Sequence, residues 1–206
     1  MNKTGTAAAI VGALLLAACS SKNDPTETNF ASAINEHFSH ADEECLPVTS
    51  YPVDVSSFML KHPDASQVPE LDALKNAGLL STSVISPTQS RMVAGAVQRY
   101  QLTPMGLKYF HETSAVDATT GTRTGMFCYG HRSLLKVVRW VGPVTAGGYQ
   151  GATVYFTYKY DDLPDWAKRP DVQAFYGDMR HDLAGIGNAE AHWAVRLTNE
   201  GWKPVS

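Results

Sequence analysis

The stretch Thr153-Val154-Tyr155-Phe156-Thr157-Tyr158-Lys159-Tyr160 is built almost wholly from β-branched and aromatic residues, with polar and apolar side chains alternating. Residues of this kind fit a pleated, half-buried surface and lose side-chain freedom in a helix. Two further stretches share the character, so residues 133–141, 151–160 and 191–198 are expected as strands of one antiparallel sheet. Between the second and third, Leu163-Pro164-Asp165-Trp166-Ala167 opens a helical segment reaching toward Tyr176, interrupted at Pro170, and residues 179–184 add a turn. Residues 126–206 therefore predict a curved antiparallel sheet with a helix packed against one face.

The first half reads differently. Phe30, Ile34 and Phe38 stand four apart, the stripe of a first helix with Asn29 as its cap. The prolines of Cys45-Leu46-Pro47-Val48 and Tyr51-Pro52-Val53 keep those stretches extended. Pro69 suits the first turn of a second helix, Leu71 and Leu74 give it an apolar face, and Gly78 supplies the left-handed stop. Two β-type runs follow, separated by the turn-rich Ser86-Pro87-Thr88-Gln89-Ser90, and Thr103 caps a further helix with Pro104 at its first position. Residues 113–125, rich in Thr and Gly, read as a linker. The expected class is α+β, with a helical part over 30–112 and a sheet part over 126–206.

The order leucine, Gly-Leu-Leu, hairpin, Tyr-x-Leu-Thr-x-x-Gly, carried by Leu74, Gly78, Leu79, Leu80, Tyr100, Leu102, Thr103 and Gly106, resembles the second half of a winged-helix domain over residues 55–112. These are structural positions, so the resemblance implies a fold and no activity. Many such domains bind DNA. Here the helix that would enter the groove carries Glu70 and Asp72 against Lys75, and the chain's net charge is -3, so no nucleic-acid partner is expected. The unit reads as a protein-contact or packing module. Leu102-Thr103-x-x-Gly106 is echoed by Leu197-Thr198-x-x-Gly201, as duplication or as recurring turn chemistry.

At the N-terminus, Lys3, an apolar run from Ala7 to Leu16 and the small residues Ala17 and Ala18 have the layout of a secretory signal. The run is too short for a spanning helix, which needs about 20 apolar residues. The tetrad Leu16-Ala17-Ala18-Cys19 resembles the lipobox of bacterial lipoproteins. That resemblance implies removal of residues 1–18 and acylation of Cys19, the alternative being a fortuitous cysteine in an ordinary signal. With Ser20 rather than Asp after the cysteine, it also implies the outer membrane, facing the periplasm. Several acyl chains, each contributing about 0.8 kcal/mol per buried methylene, would make the membrane a lasting partner. Residues 19–29, polar and carrying Pro25, read as a flexible tether. Phe127-Cys128-Tyr129-Gly130 and the segment from Tyr155 to Ala167 resemble parts of small periplasmic lipoproteins, and that resemblance supplies no activity.

With Cys19 given to lipid, Cys45 and Cys128 form an even pair in an oxidising compartment, and a disulfide is expected. The competing reading is a thiol nucleophile at Cys128 with His131 as its base. Among polar clusters, His37 and His40, one helical turn apart and followed by Asp42, Glu43 and Glu44, suit either a surface metal ion or a solvated helix end. Asp178, His181 and Asp182 with Glu190 and His192 would make a metal or His/Asp site if the fold joined them. The acidic turn at Asp161 and Asp162 with Tyr158, Tyr160, Trp166 and Tyr176 suits either helix capping and core or an aromatic contact surface. No motif implies a cofactor. The leading expectation is a binding or envelope-interaction lipoprotein with a possible envelope protein partner. The alternatives are an envelope hydrolase working through His181, Asp178, Glu190 and His192, an immunity or inhibitor lipoprotein, and a structural spacer.

Overall fold

A computed structural model of the chain describes residues 21–41, 43–86 and 95–205. Cys19, Asp42 and most of the turn read at 86–90 lie outside the described residues. The fold is α+β, with helices set against a curled antiparallel sheet.

The three expected strands are present, the first two longer than their β-rich cores and the third matching residues 191–198. Strand β7 (Arg123–Ala146) and strand β8 (Tyr149–Asp161) form a long hairpin closed by Gly147-Gly148, both at positive φ. β9 (Ala191–Thr198) adds to β8, and β10 (Gly201–Pro204) adds to β9. Three register shifts interrupt the β7–β8 ladder, after Leu134, Val137 and Val141. Extra residues of this kind bend and twist a strand, which is how the ribbon curls.

Three short strands complete this sheet at the other half of β7. β1 (Glu44–Cys45) pairs at Cys128 to Gly130, β2 (Thr49–Tyr51) at 123–125, and β6 (Phe110–Glu112) at 125–127. Residues 123–125, read as linker, are therefore strand. Gly125 lies where a Cβ would run into the His111 carbonyl, so the crossing needs glycine.

Helix α1 (Glu27–His40) begins one turn earlier than its stripe suggested, because the Thr26 hydroxyl accepts from the Asn29 N–H; Thr26 is the cap, not Asn29. Phe30, Ala33 and Ile34 are fully buried against Val137, Val154, Val195 and Trp202, so α1 packs on the long sheet rather than with the following helices. Residues 21–26 are folded too. The Trp202 indole N–H lies 3.1 and 3.2 Å from the carbonyls of Asn23 and Asp24, and the Asn29 side chain donates to the carbonyls of Ser21 and Asp24. A tether was expected there because no side chain is apolar. The docking uses main-chain carbonyls, which composition does not reveal.

Residues 53–109 make the second unit. β3 (Val53–Ser56), helix α2 (Ser57–Lys61), a 3-10 turn at Pro63–Ala65 and helix α3 (Val68–Asn76) lead into β4 (Leu80–Val84), β5 (Ala96–Leu102) and helix α4 (Pro104–Tyr109). The strands order as β3-β5-β4. Pro69 is in the first turn of α3, and Gly78, at φ +83°, ends it as expected. Thr103 caps α4: its hydroxyl accepts from the Gly106 N–H and donates to the Gly78 carbonyl. A Cβ on Gly106 would run into the Leu79 carbonyl, which explains the glycine. In the echo, Thr198 donates to the Gly201 carbonyl and closes the β9–β10 turn, so one local pattern starts a helix and the other reverses a strand.

A single buried cluster joins this unit to the long sheet, with Leu74, Leu79 and Tyr100 on one side and Phe127, Tyr129, Tyr158 and Trp166 on the other. Helices α5 (Pro170–Gln173) and α6 (Gly177–Ala184) close it through Val172 and Met179. The stretch from Leu163 to Ala167, expected to open a helix, holds a turn over 165–168, and Pro170 starts α5 rather than interrupting a longer helix, because a proline at the first helical position costs no backbone hydrogen bond.

Candidate functional site

Cys45 and Cys128 are bonded, their Cα atoms 3.9 Å apart across β1 and β7. The thiol-nucleophile reading of Cys128 falls with that bond, since no free thiolate remains to attack.

Next to the disulfide lies a cleft of about 490 Å³ between β1 and α6. Its apolar wall is Leu46, Pro47, Tyr129, Phe175 and Met179, and its polar rim is Glu44, Asp178 and Asp182. Phe175 is 45% exposed, unusual for a large aromatic beside a core. It sits between α5 and α6, where the short link between two helices leaves its ring outside the packed layer.

Arg132 organises the cleft from behind. Its guanidinium lies 2.9 Å from Glu44, 2.6 Å from Asp182 and within hydrogen-bond distance of the Tyr160 hydroxyl, and it covers the rings of Tyr158 and Tyr160. Burial works against its charge, but Tyr160 and the two carboxylates together hold its pKa above the ordinary arginine value. Burial raises the pKa of Glu44, with Arg132 opposing and Asp182 reinforcing the rise. Burial pushes Tyr129 up to about 12, helped by Glu44 and Asp182. Tyr176 donates to Glu70 at 2.6 Å, tying the cleft to α3.

The sequence-read sites are dispersed. Tyr158, Tyr160 and Trp166 are 5, 9 and 3% exposed, so as contact residues they are corrected: they are core, their rings closing the seam between the two units. Asp162 is exposed at φ +56°, turning the chain out of β8. Of the four hydrolase candidates, Asp178 lines the cleft and His181 is exposed on α6. Glu190 pairs with Arg139 at 3.1 Å, and the His192 ring lies 5.5 Å from that of Tyr155. They do not converge. His37 stacks on Trp193 at 3.7 Å, and burial lowers its pKa, while His40 lines the neighbouring groove. Among the described residues, the one group of potential metal ligands within 4.8 Å is Glu43, His111 and Cys128, whose sulfur the disulfide already uses.

No family model, curated protein or solved structure matches this chain. Its function must be read from its own surface. Among the described residues, no helix is long and apolar enough to cross a membrane.

Sequence reasoning missed Arg132, Phe175 and the use of Glu44. Glu44 and Arg132 meet only through the β1–β7 pairing, and Arg132 reaches Asp182 across 50 residues. No local pattern signals either contact. Phe175 offered one signal, an aromatic placed between Pro170 and Gly177 with no strand or helix periodicity to bury it.

Proposed function

We propose that the protein is a lipid-anchored periplasmic binding lipoprotein of the outer membrane, and that its cleft takes a basic, partly apolar segment of an envelope protein. The observation that carries this is the pairing of an exposed Phe175 with three carboxylates, Glu44, Asp178 and Asp182, around one concave wall. An aromatic anchor supplies contact energy and the surrounding charge selects the sign of the partner. Arg132 already has its carboxylate partners, so it stiffens the rim rather than attracting an anion. We read residues 53–109 as a winged-helix-like support for that wall, a reading that the β3-β5-β4 order favours. The anchor reading rests on Leu16-Ala17-Ala18-Cys19.

Fluorescence anisotropy with labelled peptides tests the cleft. A basic peptide carrying aromatic residues should bind, and an acidic peptide of equal length should not. Glu44→Gln with Asp178→Asn, or Phe175→Ala alone, should weaken binding about tenfold, roughly 1.4 kcal/mol. Equal binding of both peptides, or indifference to these substitutions, would sink the reading.

A further inference from the structure

We propose that the end of the long sheet bearing the β7–β8 turn rests on the lipid bilayer that holds Cys19, with Val141, Val144 and Tyr149 as the contact. This inference rests on the lipid-anchor reading above and adds to it an orientation.

The leash is short. Ser21 is two residues from Cys19, and two residues span at most about 7 Å. Ser21 is itself held: its N–H donates to Asp24 and its carbonyl accepts from Asn29, each at 2.8 Å. The carbonyls of Asn23 and Asp24 lie under the Trp202 indole. The Lys22 carbonyl packs so closely on Gly201 that a Cβ there would stand 3.0 Å from it, at a φ of +110° that already favours glycine. A chain leaving the membrane at Cys19 thus joins the folded body almost at once.

The register shows which end faces the lipid. Gly151 pairs with Arg196, and β9 continues through Leu197 and Thr198, which pair with Trp202 and Gly201. Because β8 and β9 are antiparallel, those rows lie beyond Gly151 in the direction of Gly147-Gly148. The docked N-terminal strap and the β7–β8 turn therefore share one end of the sheet.

That end is apolar and open on the face opposite α1. Ala152, Val154 and Val195 point to α1, and side chains alternate along a strand. The alternate rows are Val141–Thr153–Ala194 and Val144–Gly151–Arg196. Val141, Val144 and Tyr149 are 56, 64 and 62% exposed. They line a shallow groove of about 370 Å³, and the Arg196 guanidinium stands 5.2 Å over the Tyr149 ring. Valines with a tyrosine and an arginine match the chemistry of a membrane interface, where tyrosine sits at headgroup level and a cation reaches the phosphates. Glu200, at the same end, lies 3.7 Å from Lys203.

The test uses the full chain, processed and acylated in cells, in vesicles of phosphatidylethanolamine and phosphatidylglycerol that include brominated acyl chains. An environment-sensitive fluorophore is attached through Val144→Cys or, as the remote control, Asp165→Cys, whose native side chain is 98% exposed. Labelling without reductant leaves the native disulfide intact. The expected result is loss of most of the fluorescence at position 144 and little at 165. Equal quenching at both, or none at either, overturns the proposal, as does shielding at 144 that persists in detergent through a second copy of the chain. The mass of the N-terminal peptide separates the two readings. An unacylated Cys19 removes the anchor and this orientation together, whereas an acylated Cys19 with an unquenched position 144 removes the orientation alone.

Discussion

Replacing both Cys45 and Cys128 by alanine should remove a large share of the stability. The bond joins residues 83 apart in sequence, and the loop it closes contains β2 to β6, the whole of the second unit. On the chain-entropy account, cross-linking such a loop restricts the unfolded chain by about 4.5 kcal/mol. Loss of the buried Cys128 sulfur adds roughly 1 kcal/mol of packing, because it is 2% exposed. Set against the 5–15 kcal/mol typical of whole domains, about 5 kcal/mol is a third or more of the total. At roughly 2–4 °C per kcal/mol, melting should fall by about 10–20 °C. Urea unfolding followed by tryptophan fluorescence measures the difference. The native protein treated with a dithiol reductant should give a curve close to that of the double variant. A loss below about 1 kcal/mol would refute the reasoning, since it would mean that the unfolded chain already holds β1 near β7 without the bond.

Thr157 is 4% exposed, and its hydroxyl has no hydrogen-bond partner among the described residues, so Thr157→Val should raise stability by about 1 kcal/mol, read as a higher melting temperature. Arg132→Met leaves Glu44 and Asp182 facing each other without their cation and should cost about 2 kcal/mol at neutral pH. Because a carboxyl whose folded pKa is raised binds its proton more tightly in the native state, that deficit should shrink as the solution is made acidic; a deficit independent of pH would point to lost packing instead. Burial raises both Tyr129 and Tyr100 to about 12, with Glu44 contributing to the first and Asp72 to the second. Above pH 10 the unfolded chain loses phenolic protons that the native state keeps. Stability should therefore fall between pH 10 and pH 12, by up to about 1.4 kcal/mol per pH unit for each tyrosine, and Tyr129→Phe should flatten the fall measured by unfolding at pH 9 and pH 11.

Punctuation was the most legible part of the sequence. Pro69, Gly78, Thr103 and Pro104 act through their own backbone or their nearest neighbours, and all four stand where their chemistry places them. The strands over 151–160 and 191–198 were legible because β-branched and aromatic side chains exclude the helix. Orientation within a strand was harder to read. Alternation sets Tyr158 and Tyr160 on one face with Val154 and Phe156, and that whole face is buried, but the pattern does not say what covers each face, so two tyrosines at the end of the strand could be read as core or as contact surface. The candidate site was least legible, because Glu44, Arg132, Asp182 and Phe175 come from elements that meet only after β1, β7 and α6 have assembled. The disulfide was the exception: once two cysteines are assigned to one oxidising compartment, counting suffices.

The Trp202 indole lies on carbonyls 178 and 179 residues earlier, and its ring meets Phe30 at 5.0 Å. Helix α1 thus completes its core with β10, more than 160 residues further along the chain. At about 5–20 residues per second, ribosomal synthesis separates the two by roughly ten to thirty seconds. Throughout that interval Phe30 and Ile34 have no finished surface to enter, and a chain stopped short of Gly201 would never acquire one. Loss of β10 would therefore leave its mark far away in sequence, in a helix made correctly and left uncovered.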